Sequence, residues 1–200
     1  TTASGPASLV ASATSSTLVQ NQEAQIKPLS MNDLTINGIK IPQSKAADDI
    51  FSSTVTSSSD SSASAIAIAA AVNSQSALTG VRAQANPVVS KATITSVSSD
   101  LPAGRYSLYL NGTEVSVYLD PQDTPAERRA NVASAINERT GQHGVVATDE
   151  GKGGLTLTTS DGRNLSAWFD SSVPALSAAS FGVEKGGTAK QVSTVTFNHA

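Results

Sequence analysis

Twice along the chain, short alternations of apolar and polar residues flank an Asn-Gly pair. The first reads Asp33-Leu34-Thr35-Ile36-Asn37-Gly38-Ile39-Lys40-Ile41; the second reads Tyr106-Ser107-Leu108-Tyr109-Leu110-Asn111-Gly112 and then Val115-Ser116-Val117. Period two marks a strand with one buried face, and Asn-Gly supplies the two positive φ angles of a type I′ turn. A two-residue loop at Asn111-Gly112 sets Leu108 opposite Val115 and Tyr106 opposite Val117. The same rule at Asn37-Gly38 sets Ile36 opposite Ile39 and Leu34 opposite Ile41. Apolar residues meet apolar residues in both registers, which predicts two half-buried hairpins, over 33–42 and 104–119.

Each hairpin is followed by a helical pattern and a Gly-Val pair. The triplets Ala71-Val72-Asn73 and Ala135-Ile136-Asn137 stand at the same distance, seven positions, before Gly80 and Gly144. The chain therefore contains two copies of one hairpin–helix–strand unit. The first copy is longer by a Ser-rich insert at 51–64, and loop length costs little because closure entropy grows only logarithmically. In the second copy Thr124, Pro125 and Glu127 form an N-cap, first helical residue and capping box for a helix over 125–139. Ala126, Ala130, Ala133 and Ile136, with Val132 beside them, make its apolar stripe. The first copy's helix, over 62–76, has Ile66, Ala69, Ala70 and Asn73 at the right period, although Ser and β-branched residues weaken it. Strands over 79–85 and 144–149 close the two units.

Further strands are predicted outside the repeat. Leu155-Thr156-Leu157 and Leu165-Ser166-Ala167 flank a turn at Ser160-Asp161-Gly162. A three-residue loop with Gly162 left-handed pairs Leu157 with Leu165, giving a hairpin over 154–169. Trp168 and Phe169 after it are expected to cap the second core. Alternation over 92–97 and 191–198 predicts strands, and patches at 8–10 and 17–19 predict N-terminal strands that pair with the last one. The expected fold is α+β: two small tandem β-hairpin–helix–strand subdomains, 1–90 and 91–200, with a β-rich base formed by the two chain ends.

Composition then limits the chemistry. Hydrophobic residues make up 38% and aromatics 4%, so the cores must be thin and built from Val, Ile, Leu and Ala. A net charge of −3 with scattered Lys and Arg argues against nucleic acid as a partner. No apolar run reaches the roughly 20 residues that a helix needs to span a bilayer, so no membrane insertion is expected. The absence of Cys excludes disulfides and thiolate chemistry. The chain starts at Thr1 without a signal-peptide pattern and is expected to be an internal fragment of a longer protein.

Candidate catalytic or metal-binding residues are few. Of the two histidines, His143 sits in a Thr-Gly-Gln-His-Gly turn and His199 near the end of the chain. Asp120 and Asp123 precede a helix, where acids favour the N-terminal dipole. Asp149 and Glu150 open a Gly-rich turn that lacks the ligand spacing of a calcium loop. Lys152 lies in no phosphate-binding loop. No catalytic residue, cofactor or metal is therefore expected, and Asn73 and Asn137 are expected to hydrogen-bond nearby backbone. The structural turns are assigned to Asn37, Gly38, Asn111, Gly112, Asp161 and Gly162. Ser57, Ser58 and Ser59 are candidates for O-linked modification within a tract whose default reading is a flexible loop. Asn111-Gly112-Thr113 and Asn164-Leu165-Ser166 match N-glycosylation acceptors.

The ordered set resembles the motif of flagellin and hook proteins, a strand, Ile-Asn-Gly and a returning strand. Leu34-Thr35-Ile36-Asn37-Gly38 with Ala71-Val72-Asn73 and Thr79-Gly80-Val81 resembles one copy. Leu108-Tyr109-Leu110-Asn111-Gly112 with Ala135-Ile136-Asn137 and Gly144-Val145 resembles a second, and Leu155-Thr156-Leu157-Thr158 with Ser160-Asp161-Gly162-Arg163-Asn164 is similar to the hairpin that follows it in many flagellins. The resemblance implies the variable, surface-exposed outer domains of a bacterial flagellin: a secreted, extracellular structural part of the flagellar filament, serving motility and surface display, with no catalysis. It implies other flagellin subunits as partners, through long terminal helices that this chain lacks, and host receptors or antibodies at the outer surface. Hook-associated junction or cap proteins carry the same motif and are the alternative. An adhesin or carbohydrate-binding module is a further alternative; it needs an aromatic or acidic surface, and one Trp, three Tyr and four Phe leave little to build one.

Overall fold

The computed structural model describes residues 27–53, 60–170 and 172–183, together with the backbone of 12–14 and 195–199. In chain order the elements are β1 (Ser12–Thr14), β2 (Thr35–Ile36), β3 (Ile39–Lys40), α1 (Ala65–Asn73), α2 (Ser76–Thr79), β4 (Val81–Ala85), β5 (Val88–Lys91) and β6 (Gly104–Leu110). They continue with β7 (Thr113–Leu119), α3 (Pro125–Asn137), α4 (Thr140–His143), β8 (Val146–Asp149), β9 (Leu155–Thr159), β10 (Ala167–Phe169) and β11 (Val195–His199). The sheets are small and antiparallel, in the orders β1-β11-β4, β10-β6-β7, β2-β3 and β5-β9-β8. The fold is α+β.

Both Asn-Gly hairpins form in the predicted register. Leu108 faces Val115, Tyr106 faces Val117 and Ile36 faces Ile39, while Ile41 N–H donates to Leu34 O at 2.9 Å. Asn37 and Asn111 have φ of 50° and 48°, and Gly38 and Gly112 follow at 79° and 80°, as a type I′ turn requires. The capping box of α3 is complete: Glu127 N–H donates to Thr124 Oγ1, and Thr124 N–H to Glu127 Oε2. The chain ends also meet, with β1 against β11 and β11 against β4. The 8–10 and 17–19 patches lie outside the described residues, as does the start of the 191–198 strand.

Two hydrophobic clusters follow the two units. The first gathers Ile41, Ala65, Ala69, Ala71, Val72 and Ala83 beneath β4. Each buried Ala contributes about one methyl group, roughly 0.8 kcal/mol, against about 1.5–3 kcal/mol for a buried Leu or Val. The second cluster is larger and branched-chain in character, with Leu108, Leu110, Val115, Val117 and Leu119 under Val132 and Ile136 of α3. Phe181, in a short 3-10 turn over Ala178–Phe181, is its largest fully buried side chain.

Five expectations need correction. The 154–169 segment is not a hairpin: β9 has both edges occupied, by β5 and β8, while β10 joins β6. The cause lies in Asn111, whose Oδ1 accepts from Ser166 N–H at 2.8 Å and whose own N–H donates to Ser166 O at 2.9 Å. That pair draws the chain after the turn onto β6 and away from β9. The strand expected over 92–97 lies earlier, at Val88–Lys91. Trp168 does not cap the second core but is 52% exposed; Phe169 packs on that core beside Phe181. In α3 the buried face is Arg128, Arg129, Val132 and Ile136, with Ala126 and Ala130 exposed. An Ala stripe was misleading there because two arginines can be buried once their heads are hydrogen-bonded. In α1 the buried positions are Ala65, Ala67, Ala69, Ala71 and Val72, whereas Ile66 and Ala70 are half-buried.

Candidate functional site

The residues assigned to turns act as ties between the pieces of each unit. Asn37 Nδ2 donates to Thr79 O at 2.7 Å, and Asn111 Nδ2 donates to His143 O at 2.8 Å. Thr79 and His143 end the short helices α2 and α4, which Gly80 and Gly144 terminate at φ of 70° and 73°. Each Asn-Gly tip is thus fastened to the last turn of the helical segment of its own unit.

The helices hold the following strands by a second pair of asparagines. Asn73 donates to Ala83 O at 2.9 Å and accepts from Ala83 N–H at 2.8 Å; Asn137 does the same to Ala147 at 2.9 and 2.8 Å. Ala83 and Ala147 lie on the outer strands β4 and β8, facing away from their sheet partners. One carboxamide therefore replaces a missing neighbouring strand at each sheet edge, satisfying groups that would otherwise invite edge-to-edge pairing.

His143 is 1% exposed and both ring nitrogens are engaged. Val145 N–H donates to Nδ1 at 3.0 Å, so Nε2 carries the proton and donates to Ile136 O at 3.0 Å. Burial holds its pKa below the ordinary 6.5, the hydrogen bond to Ile136 opposes this, and the charges of Arg163 and Arg139 reinforce it. In the first unit the same place belongs to Thr79, whose Oγ1 accepts from Val81 N–H at 3.1 Å. His143 is a neutral structural acceptor in a position that a hydroxyl fills elsewhere in the chain.

The carboxylates are similarly occupied. Asp120 Oδ1 accepts from Gln122 N–H, and the carbonyls of Asp120 and Asp123 accept from Arg128. Asp149 accepts from Gly151 N–H and from Arg129 Nε, both at 2.8 Å; the Gly151 bond is the main reason its pKa is lowered. Glu150 accepts from Thr156 Oγ1. Burial would raise the pKa of Asp161, but hydrogen bonds from Arg163 outweigh it and leave it lowered. Gly162 is left-handed at φ 80°. Among the described residues no group of three or more His, Asp or Glu is placed to hold a metal ion, and no helix is long and apolar enough to cross a membrane. A hollow of about 310 Å³ lies between Ser98, Asp100, Pro102 and Val173-Pro174-Ala175 and offers Asp100 as its one ionisable group.

The modification candidates divide. Ser57, Ser58 and Ser59 lie outside the described residues. Asn111 and Asn164 are 8% and 1% exposed, and each carboxamide donates a hydrogen bond within the fold, so neither is an accessible glycan acceptor in the folded chain. Asn164 also joins the two units: its N–H donates to Ser52 Oγ and its Nδ2 to Asp60 O, while Arg163 lies 5.6 Å above the Phe51 ring. The two ends of the Ser-rich insert are thereby docked on the 160–164 turn.

One surface escaped the reading of the sequence. Residues of β6, β7 and β10 that alternate with the buried ones face solvent, and they include Trp168, Tyr109 and Tyr118. Tyr109 and Trp168 are cross-strand neighbours with ring centroids 4.9 Å apart at 53°. The signal was present as the other half of the hairpin's alternation; joining Trp168 to it required knowing that β10 pairs with β6.

No family model matches the chain, and no curated protein sequence matches it.

Proposed function

We propose that this chain is the surface-exposed outer segment of a bacterial flagellin, a structural part of the filament that serves motility and surface display. The observation that carries the reading is the recurrence of one unit, with the same Asn-Gly turn, the same αL glycine and the same asparagine clamp in both copies. Repetition of a small module whose turn and helix-end asparagines serve internal ties fits a spacer and display role. The ordered Ile36-Asn37-Gly38, Val72-Asn73 and Gly80-Val81 positions, with Leu110-Asn111-Gly112, Ile136-Asn137 and Gly144-Val145 in the second copy, are those on which the resemblance rests. On this reading the partners are other subunits of the filament, contacted through segments outside this chain, and receptors or antibodies at the outer surface. The location is extracellular.

The test is immuno-electron microscopy of the source bacterium with antibodies raised against the folded chain. Continuous labelling along flagellar filaments is expected. Labelling confined to filament tips or to the hook junction would replace the reading with a hook-associated protein, and absence of flagellar label would overturn it.

A further inference from the structure

We propose that Asn37 is a site of spontaneous covalent modification, and that its conversion to an acid unfastens the first unit while the second stays closed. The sequence supplies two Asn-Gly pairs, Asn37-Gly38 and Asn111-Gly112, and the fold treats them differently. Glycine lacks the side chain that would shield its backbone nitrogen, so that nitrogen can approach the carboxamide of the residue before it. Gly38 N forms a bond to Asn37 Cγ and gives its proton to a solvent base. The Cγ–Nδ2 bond breaks, and the nitrogen leaves as ammonia with a proton taken from water. Water then opens the five-membered imide. Attack at Cγ restores the main chain with an aspartate side chain. Attack at the main-chain carbonyl carbon leaves isoaspartate, with one extra methylene in the backbone. Water is the co-reactant, and nothing is oxidised or reduced.

The geometry selects Asn37. Both asparagines are held at positive φ in their turns, so ring closure, which rotates the Asn–Gly peptide, waits for the turn to open. Asn37 and Gly38 are exposed, and nothing lies within 4 Å of the point where a Gly38 Cβ would stand. Their turn joins the two-residue strands β2 and β3, and the Asn37 side chain is tied to Thr79 O alone. Asn111 is 8% exposed and joins the seven-residue strands β6 and β7. Its carboxamide is held by His143 O and Ser166 N–H, and its own N–H by Ser166 O. Opening the second turn therefore breaks bonds that the first turn does not have. Asp161-Gly162 has the same following glycine, but its carboxylate is gripped by Arg163 and has no amide to lose.

The consequence is local. Asn37 Nδ2 is the donor that ties the hairpin tip to Thr79 O at the end of α2. A carboxylate oxygen in its place meets that carbonyl with no proton between them, so the tie becomes a repulsion. Leu34 and Ile36, which pack on the first core from this hairpin, lose their anchor. Ammonia escapes, so the step runs one way and marks the age of the folded chain. The inference does not depend on the chain belonging to a filament.

The whole chain is incubated in mildly alkaline buffer, folded and in parallel in urea, until the urea sample has converted by half. Peptide mapping by mass spectrometry, with fragmentation that separates aspartate from isoaspartate, follows both asparagines. In the folded chain Asn37 is expected to convert at least about tenfold faster than Asn111, the factor by which one or two further net hydrogen bonds hold a turn closed. In urea the two should convert at similar rates, because each precedes glycine. Asn37→Asp, the mimic of the unrearranged product, should speed hydrogen exchange at Ile41 N–H about tenfold and leave Ala147 N–H unchanged. Equal rates at the two sites of the folded chain, or an Asn37 that converts in urea and not in the fold, overturns the site. Unchanged exchange at Ile41 in Asn37→Asp overturns the release.

Discussion

Asn137 and Ala147, ten positions apart, are joined by two hydrogen bonds that use both ends of one carboxamide. The side chain stands where a neighbouring strand would, so removing it exposes a backbone N–H and C=O of a 4% exposed residue to an apolar setting. Asn137→Ala is expected to cost about 2 kcal/mol of stability, the order of two net hydrogen bonds with their desolvation. Asn73→Ala should behave alike in the first unit. Urea denaturation measures both; a cost below about 0.5 kcal/mol for each would show that the clamps are ornamental.

The turn asparagines should differ in cost. Asn37 makes one bond to Thr79 O, whereas Asn111 is buried and holds both His143 O and Ser166 N–H. Glycine suits positive φ, so Asn→Gly isolates the side-chain contribution from the turn itself. Asn111→Gly is expected to lose about 2–3 kcal/mol and Asn37→Gly about 1 kcal/mol. Equal losses, read from thermal unfolding of the two variants, would contradict the account of why β10 leaves β9.

Stability should fall with acid through His143. Its pKa in the folded chain lies below the ordinary 6.5, so between those two values the unfolded chain binds the proton and the folded chain does not. The stabilisation is complete above pH 6.5 and is lost as pH falls toward the folded value, since protonation removes the acceptor that Val145 N–H requires. His143→Thr imports the first unit's solution. That variant should be less stable at pH 7.5, having lost the bond to Ile136 O, yet show a flatter pH dependence between pH 6.5 and 5. An unchanged slope would move the effect to another group.

Gly80 and Gly144 end equivalent helices at nearly the same φ, but their surroundings differ. A Cβ at Gly80 meets nothing within 4 Å, whereas one at Gly144 overlaps the Arg163 guanidinium. Gly80→Ala should therefore cost about 1 kcal/mol, the strain of a left-handed L-residue alone. Gly144→Ala should cost more, because Arg163 must swing away from Asp161. Melting temperatures of the two variants, ranked against each other, decide it; the reverse order would be fatal to this explanation.

Much of this architecture was legible where the information was local. The Asn-Gly registers depended on residues within five positions of the turn, and Thr124-Pro125-Glu127 announced its helix through contacts three residues apart. The asparagine clamps were foreseen as backbone contacts because Asn beside an apolar helical stripe has few other uses. What local pattern could not supply was competition between distant partners. Leu157 and Leu165 match well across a short turn, yet Asn111, more than fifty positions earlier, holds Ser166 and decides the pairing. The exposed aromatic face was hidden for the same reason. Its Trp168 and Tyr109 are neighbours only after that long-range choice is made.

The first and last described strands, β1 and β11, run antiparallel with Ser12 opposite Asn198. Across such a ladder the two backbones lie about 5 Å apart, roughly the span of a single peptide step and a half. The polypeptide consequently departs from almost the spot at which it arrives. A host scaffold need offer only one gap in one loop to carry everything between, and excising that cargo would leave two ends that a short splice can rejoin. On the proposed reading as an outer segment, the fold between β1 and β11 is an exchangeable cassette, free to drift or be swapped without re-engineering whatever anchors it.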